Sequence, residues 1–114
     1  MSSALKRIVF DTSTLVGVLL YPRSAHAQAF RDAIARHQAV ASTETMQELV
    51  EVLSRRKFDR YRAAADRAEF VRRYAGVVQM VAVIETVNHC RDSKDNKFLA
   101  LALAANASAI ISSD

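Results

Sequence analysis

Short runs of apolar and β-branched residues alternate along this chain with segments whose apolar residues recur at helical spacing. That alternation restricts the fold to a sheet whose strands are joined by helices. Ile8-Val9-Phe10 is too brief for a helix and reads as a buried strand closed by Asp11. Thr12 to Leu20 places Leu15, Val16, Leu19 and Leu20 at helical spacing, and Tyr21-Pro22 stops it, because the residue before proline disfavours the helical region. A second helix, Ser24 to His37, carries Ala27, Phe30, Ala33 and Ile34 on one stripe with Ser24 as its cap, and Ala39-Val40-Ala41 is a short strand. Ser42 or Thr43 caps a third helix running to about Arg56, with Met46, Leu49, Val50 and Leu53 as its buried stripe. Shorter helices are expected from there to about Ala75, with Gly76 as a C-cap, followed by a strand over Val77 to Ile84. Asn88 to Asn96 reads as a loop, Lys97 to Asn106 as an Ala- and Leu-rich helix, and Ser108 to Ser112 as a last strand.

Strands separated by helices imply a mostly parallel sheet covered on both faces. At 114 residues the chain has room for one core, so a single domain over residues 1–114 is expected. With 51% hydrophobic and 25% charged residues, 2 Gly and 1 Pro, it is neither collagenous nor disordered. The single Cys90 excludes an internal disulfide framework and fits a reducing compartment. Charged or polar residues interrupt every apolar stretch before it reaches the length of a membrane span, and Asp11 cuts the first one short of a signal peptide. The expectation is a cytoplasmic protein with no membrane contact.

In parallel sheets ligands gather outside the carboxyl ends of the strands. Asp11 follows the first strand directly and Asp114 follows the last, so both carboxylates are expected at one sheet edge. Asp95 opens the Ala- and Leu-rich helix, which starts at that same edge, and Asp92 lies three residues earlier. Each acid alone has a plainer reading: Asp92 and Asp95 as helix caps, Asp11 as the cap of the helix starting at Thr12, Asp114 as a turn residue. Together they repel one another and call for a cation. Hard oxygen ligands without Cys or spaced His suit Mg²⁺ or Mn²⁺ and phosphate substrates. The third helix offers Glu44, Glu48 and Glu51, and a wheel centred on its apolar stripe puts Glu48 on the polar side, so periodicity does not choose among them.

His26, His37 and His89 share no ligand spacing, there is no Gly-rich phosphate loop, and Ser13, Ser24 and the His89-Cys90 pair form no nucleophile motif. The net charge is +4, and eight basic residues against three acids between Arg55 and Arg73 leave +5 there and −1 elsewhere. Such a segment attracts polyanions, although a solvated helical face would look the same.

Four stretches, RIVFDTSTLVGVLL, STETMQELVEVLSRRKF, CRDSKDNKFLALALAANA and SAIISSD, resemble in order and spacing the PIN-domain ribonucleases, and within them the VapC-like toxins of type II toxin-antitoxin systems. The resemblance implies a PIN-like three-layer α/β/α sandwich and an acidic pocket that binds Mg²⁺ or Mn²⁺ and cleaves RNA. It assigns catalysis to Asp11, Glu48, Asp95 and Asp114, and metal binding to Asp11, Asp95, Asp114 and Asp92. Ser13 stands where the family usually has Asn, in a place to orient Asp11. The chain ends at Asp114, whereas members of the family continue through another short strand or loop, so the domain is expected to lack that last element. Arg55, Arg56, Lys57, Arg60 and Arg62 are the expected RNA contacts, and a cognate antitoxin and a second copy of the chain the expected protein partners. A catalytically degenerate PIN module that binds RNA or a protein is the alternative. A haloacid-dehalogenase-like phosphatase is a more distant one, suggested by VFDTSTL but lacking the second acid, where Ser13 stands.

Overall fold

The structure, a computed structural model, describes residues 5–84 and 96–112. Four parallel strands form its sheet: β1 (Arg7–Phe10), β2 (Gln38–Ala41), β3 (Gln79–Met80) and β4 (Ala109–Ile111), in the order β3-β2-β1-β4. Between them lie α1 (Thr12–Leu20), α2 (Ala25–Arg36), α3 (Thr43–Leu53), a 3₁₀ turn at Arg56–Phe58, α4 (Ala64–Val77) and α5 (Asn96–Ala105).

The period-2 alternation of the strands sorts the core into two layers. Ile8, Phe10 and Ala39 face α1 to α4, packing with Leu15, Leu19, Phe30, Leu49, Leu53 and Tyr74. Val9 and Val40 face the other way, onto Phe98, Leu101 and Ala105 of α5. The result is the expected α/β/α sandwich. Phe10 and Phe30 meet edge to face with centroids 4.9 Å apart, and burial pushes the Tyr74 phenol beside them well above its ordinary pKa.

Helix starts follow the capping residues. Ser24 accepts from Ala27 N, and Ser42 and Thr45 close a reciprocal capping box on α3. Asn106, at φ 52°, ends α5 in the left-handed conformation that Asn tolerates, with Ala107 N bonded to Ala102 O at 2.9 Å.

Four expectations need correction. The third helix ends at Leu53 rather than near Arg56, because the Ser54 hydroxyl bonds back to Glu51 O and the chain tightens into the 3₁₀ turn that buries Phe58. After that turn comes one 14-residue helix, α4, which runs past Ala75 to Val77, with Gly76 inside it and Val78 as its C-cap. The strand expected over Val77 to Ile84 shrinks to Gln79–Met80, since its partner β2 ends at Ala41, where Val81 N makes the last bond at 2.8 Å. Val50, assigned to the buried stripe of the third helix, is 51% exposed, and Thr45 is buried in its stead. The expected loop Asn88 to Asn96 falls, up to residue 95, outside the described residues, as do His89 and Cys90.

Candidate functional site

The chain runs from β1 to β2 on one side and places β4 on the other, so the strand order reverses at β1, where a parallel sheet opens a crevice at its carboxyl edge. Asp11 stands at that point. Its backbone N–H donates to Ile111 O at 3.0 Å, which fixes it beside the end of β4.

The Asp11 side chain does two things at once. Its Oδ1 accepts from Thr14 N at 2.8 Å, which caps α1, and from the Ser13 hydroxyl at 3.1 Å. The plain capping reading of Asp11 is therefore correct, and it does not remove the residue from the cleft, because both bonds fall on Oδ1 and Oδ2 remains able to meet a ligand.

Glu48 reaches the same cleft from the second turn of α3. The buried face of that helix runs through Thr45, Leu49 and Leu53, which turns Glu48 to the rim, where it is half-buried while Glu44 and Glu51 are exposed. Of the three glutamates Glu48 is the half-buried one, whereas Glu51 borders the cleft from an exposed position and pairs with Arg55: Glu48 Oε2 accepts from the Thr12 hydroxyl and Oε1 from the Lys97 ammonium at 2.9 Å. Asp11, Thr12, Ser13, Glu48, Glu51, Arg55 and Phe98 are among the residues lining a cleft of about 610 Å³.

Thr12 and Lys97 are the members of this constellation that sequence reasoning missed. Lys97 had a legible signal: a cation in the first turn of a helix opposes the helix dipole and asks for a partner elsewhere. Asp92, Asp95 and Asp114 lie outside the described residues. Among the described residues no three His, Cys, Asp or Glu side chains gather closely enough to hold a metal ion. Asp11, with Oδ2 open at the cleft, supplies a hard oxygen donor, the chemistry a divalent cation such as Mg²⁺ selects, and to that extent the cleft fits one.

The basic segment divides. Arg67, 3% exposed, donates to Leu53 O at 2.7 Å, to Arg62 O and to Asp59 at 2.8 Å, and Arg62 donates to Leu19 O at the end of α1 at 3.0 Å. Arg72 and Arg73 converge on Glu69, whose carboxyl they hold at a pKa of about 2, Arg72 contributing most. Arg55, Arg56, Lys57 and Arg60 are exposed, and Arg55 borders the acidic cleft. No helix among the described residues is long and apolar enough to cross a membrane.

A family model described as PIN domain matches residues 7–114 of the chain. No curated protein and no solved structure matches it significantly.

Proposed function

The chain belongs to the PIN-domain family, whose members are generally nucleases, and on that premise we propose that it is a metal-dependent endoribonuclease, the toxin component of a toxin-antitoxin pair. The observation that carries the reading is the meeting of Asp11 and Glu48, 37 positions apart in sequence, in one cleft at the carboxyl edge of a parallel sheet. A family resemblance does not require those two side chains to converge in this chain, and a phosphatase of haloacid-dehalogenase type has no place in a chain matched to the PIN domain along 7–114.

Asp11, with Asp92, Asp95 and Asp114, would hold Mg²⁺ or Mn²⁺. When bound, the ion lowers the pKa of water and neutralises charge on the phosphodiester. The chain's own contribution is placement. Ser13 and Thr14 N fix the Asp11 carboxylate, so that it meets a ligand without rotamer search. Glu48, anchored on both oxygens, offers its remaining lone pairs to a water approaching the phosphorus. Arg55, Arg56, Lys57 and Arg60 would bind phosphates flanking the scissile bond, and Arg62 helps hold their segment against α1. A cytoplasmic setting, a cognate antitoxin that covers the cleft and a homodimer belong to the same proposal.

The test is cleavage of total cellular RNA in Mg²⁺, Mn²⁺ or EDTA, beside Asp11→Asn. Asn keeps the N-cap, so stability should change by less than about 0.5 kcal/mol, while cleavage should fall about a thousandfold, or about 4 kcal/mol of barrier. Undiminished cutting by the variant, or cutting in EDTA, would overturn the reading. Absence of cutting by the parent protein under every condition would favour the degenerate module.

A further inference from the structure

A lysine in the first turn of a helix faces the positive end of the helix dipole. From Phe98 onward α5 is apolar and buries Phe98, Leu101 and Ala105 against the sheet, so the packing of that face does not itself call for a cation at residue 97. The ammonium nonetheless reaches across to α3 and lies 2.9 Å from Oε1 of Glu48. Its Nζ stands 5.8 Å from the centroid of the Phe98 ring, within cation–π range. Both members of the ion pair are 22% exposed, so water screens them less than it screens a surface pair. The other oxygen of Glu48 takes the hydroxyl of Thr12, the residue next to Asp11. A carboxylate that receives a donor on each oxygen, one of them a full positive charge, is held as a fixed acceptor and competes poorly for direct ligation of a divalent ion.

We infer that Lys97 is the resident counter-ion of Glu48 at the cleft: with Thr12 it fixes Glu48, and its charge balances that carboxylate where a second divalent ion would otherwise be needed. The inference rests on the metal-dependent reading and deepens it, because it gives the cleft one exchangeable ion. Lys97 is a positioning residue that acts through Glu48.

Calorimetric titration with Mn²⁺ alone tests this on the full chain. The parent protein should take up one ion, and Asp11→Asn should weaken it by about tenfold or more. Glu48→Gln alone leaves the ammonium unbalanced beside the ion and should weaken binding. The double variant Glu48→Gln/Lys97→Met restores the charge balance and should bind one Mn²⁺ within about threefold of the parent, a difference of about 0.7 kcal/mol. Lys97→Met alone frees Glu48 and should tighten Mn²⁺ or admit a second ion. If that variant does not fold, judged by its thermal transition, the charge-balanced double variant decides the matter. Two ions in the parent protein, or a double variant as impaired as Asp11→Asn, would overturn the inference and make Glu48 a ligand. No Mn²⁺ uptake by the parent protein would overturn the metal-dependent reading itself, and the role of Lys97 with it.

Discussion

The two ends of the basic segment carry similar charge and use it differently. From Arg62 to Arg73 each arginine is committed inward or to a local acid: Arg62 to the end of α1, Arg67 to three acceptors in the elbow between α3 and α4, Arg72 and Arg73 to Glu69. From Arg55 to Arg60 the cations face solvent. Arg55 pairs with Glu51 at the cleft border, Lys57 lies over the Phe58 ring and Arg60 over Tyr61, and among the described residues Arg56, Lys57 and Arg60 have no carboxylate partner. The local charge of +5 therefore overstates what a polyanion can reach, and the part it can reach is the part next to the acidic cleft.

Replacing Arg67 by Met should produce the largest effect. It leaves the Leu53 and Arg62 carbonyls without their donor, while Asp59, which is more than half exposed, recovers water. A loss of about 3 kcal/mol is expected, with the cleavage rate per folded molecule unchanged, as read by denaturant unfolding and by assays below the transition. A variant that stayed fully stable but bound RNA less tightly would erase the distinction between the two ends. The triple variant Arg56→Ala/Lys57→Ala/Arg60→Ala should do the reverse. Measured with single-stranded RNA in an Asp11→Asn background, it should lower the slope of log affinity against log salt by about 2, so that the loss is about a hundredfold at about 0.1 M salt and closes towards about 1 M. Its unfolding curve should overlay that of the parent. An unchanged slope would remove these residues from the RNA surface.

Part of this architecture can be read in the sequence. The strands were legible because Ile8-Val9-Phe10 and Ala109-Ile110-Ile111 are too short and too apolar to be anything else, and the caps Ser24 and Ser42 marked their helices by hydroxyl chemistry alone. The position of Asp11 at the end of β1 followed from the same pattern. Periodicity alone does not single out Glu48, because the apolar stripe Met46, Leu49, Val50 and Leu53 includes Val50, which faces solvent, whereas the buried face includes Thr45, a polar residue buried by its capping box. A wheel recentred on that face moves Glu48 from the polar side to the rim. The need of Lys97 for a partner is legible but the partner is not, since Glu48 lies 49 positions away and only the packing of α5 against the sheet brings the two together. For the basic segment, composition supplied the charge but not its direction, because an arginine bound to backbone carbonyls and one bound to water look alike in a sequence.

At the exposed end of α4 the arginines act only through a surface carboxylate. Glu69 accepts from Arg72 and Arg73, and these bonds hold its carboxyl at about 2, below the ordinary 4.5. A carboxyl whose folded pKa is depressed contributes its stability in full above its unfolded value and loses it as the pH falls through its folded one. The contribution of Glu69 should therefore be constant above about pH 4.5 and fade as the pH approaches 2. All three side chains are substantially exposed, so the contribution is slight and salt should screen it. The melting temperature of the parent minus that of Glu69→Gln should be small and positive at neutral pH, and should vanish both in about 1 M salt and towards pH 2. The deficit of Arg67→Met, set by buried carbonyls rather than by an exposed charge, should persist in the same salt. If salt abolished both differences alike, Arg67 would be held by Asp59 alone, and the elbow between α3 and α4 would be a surface ion pair like the one at Glu69.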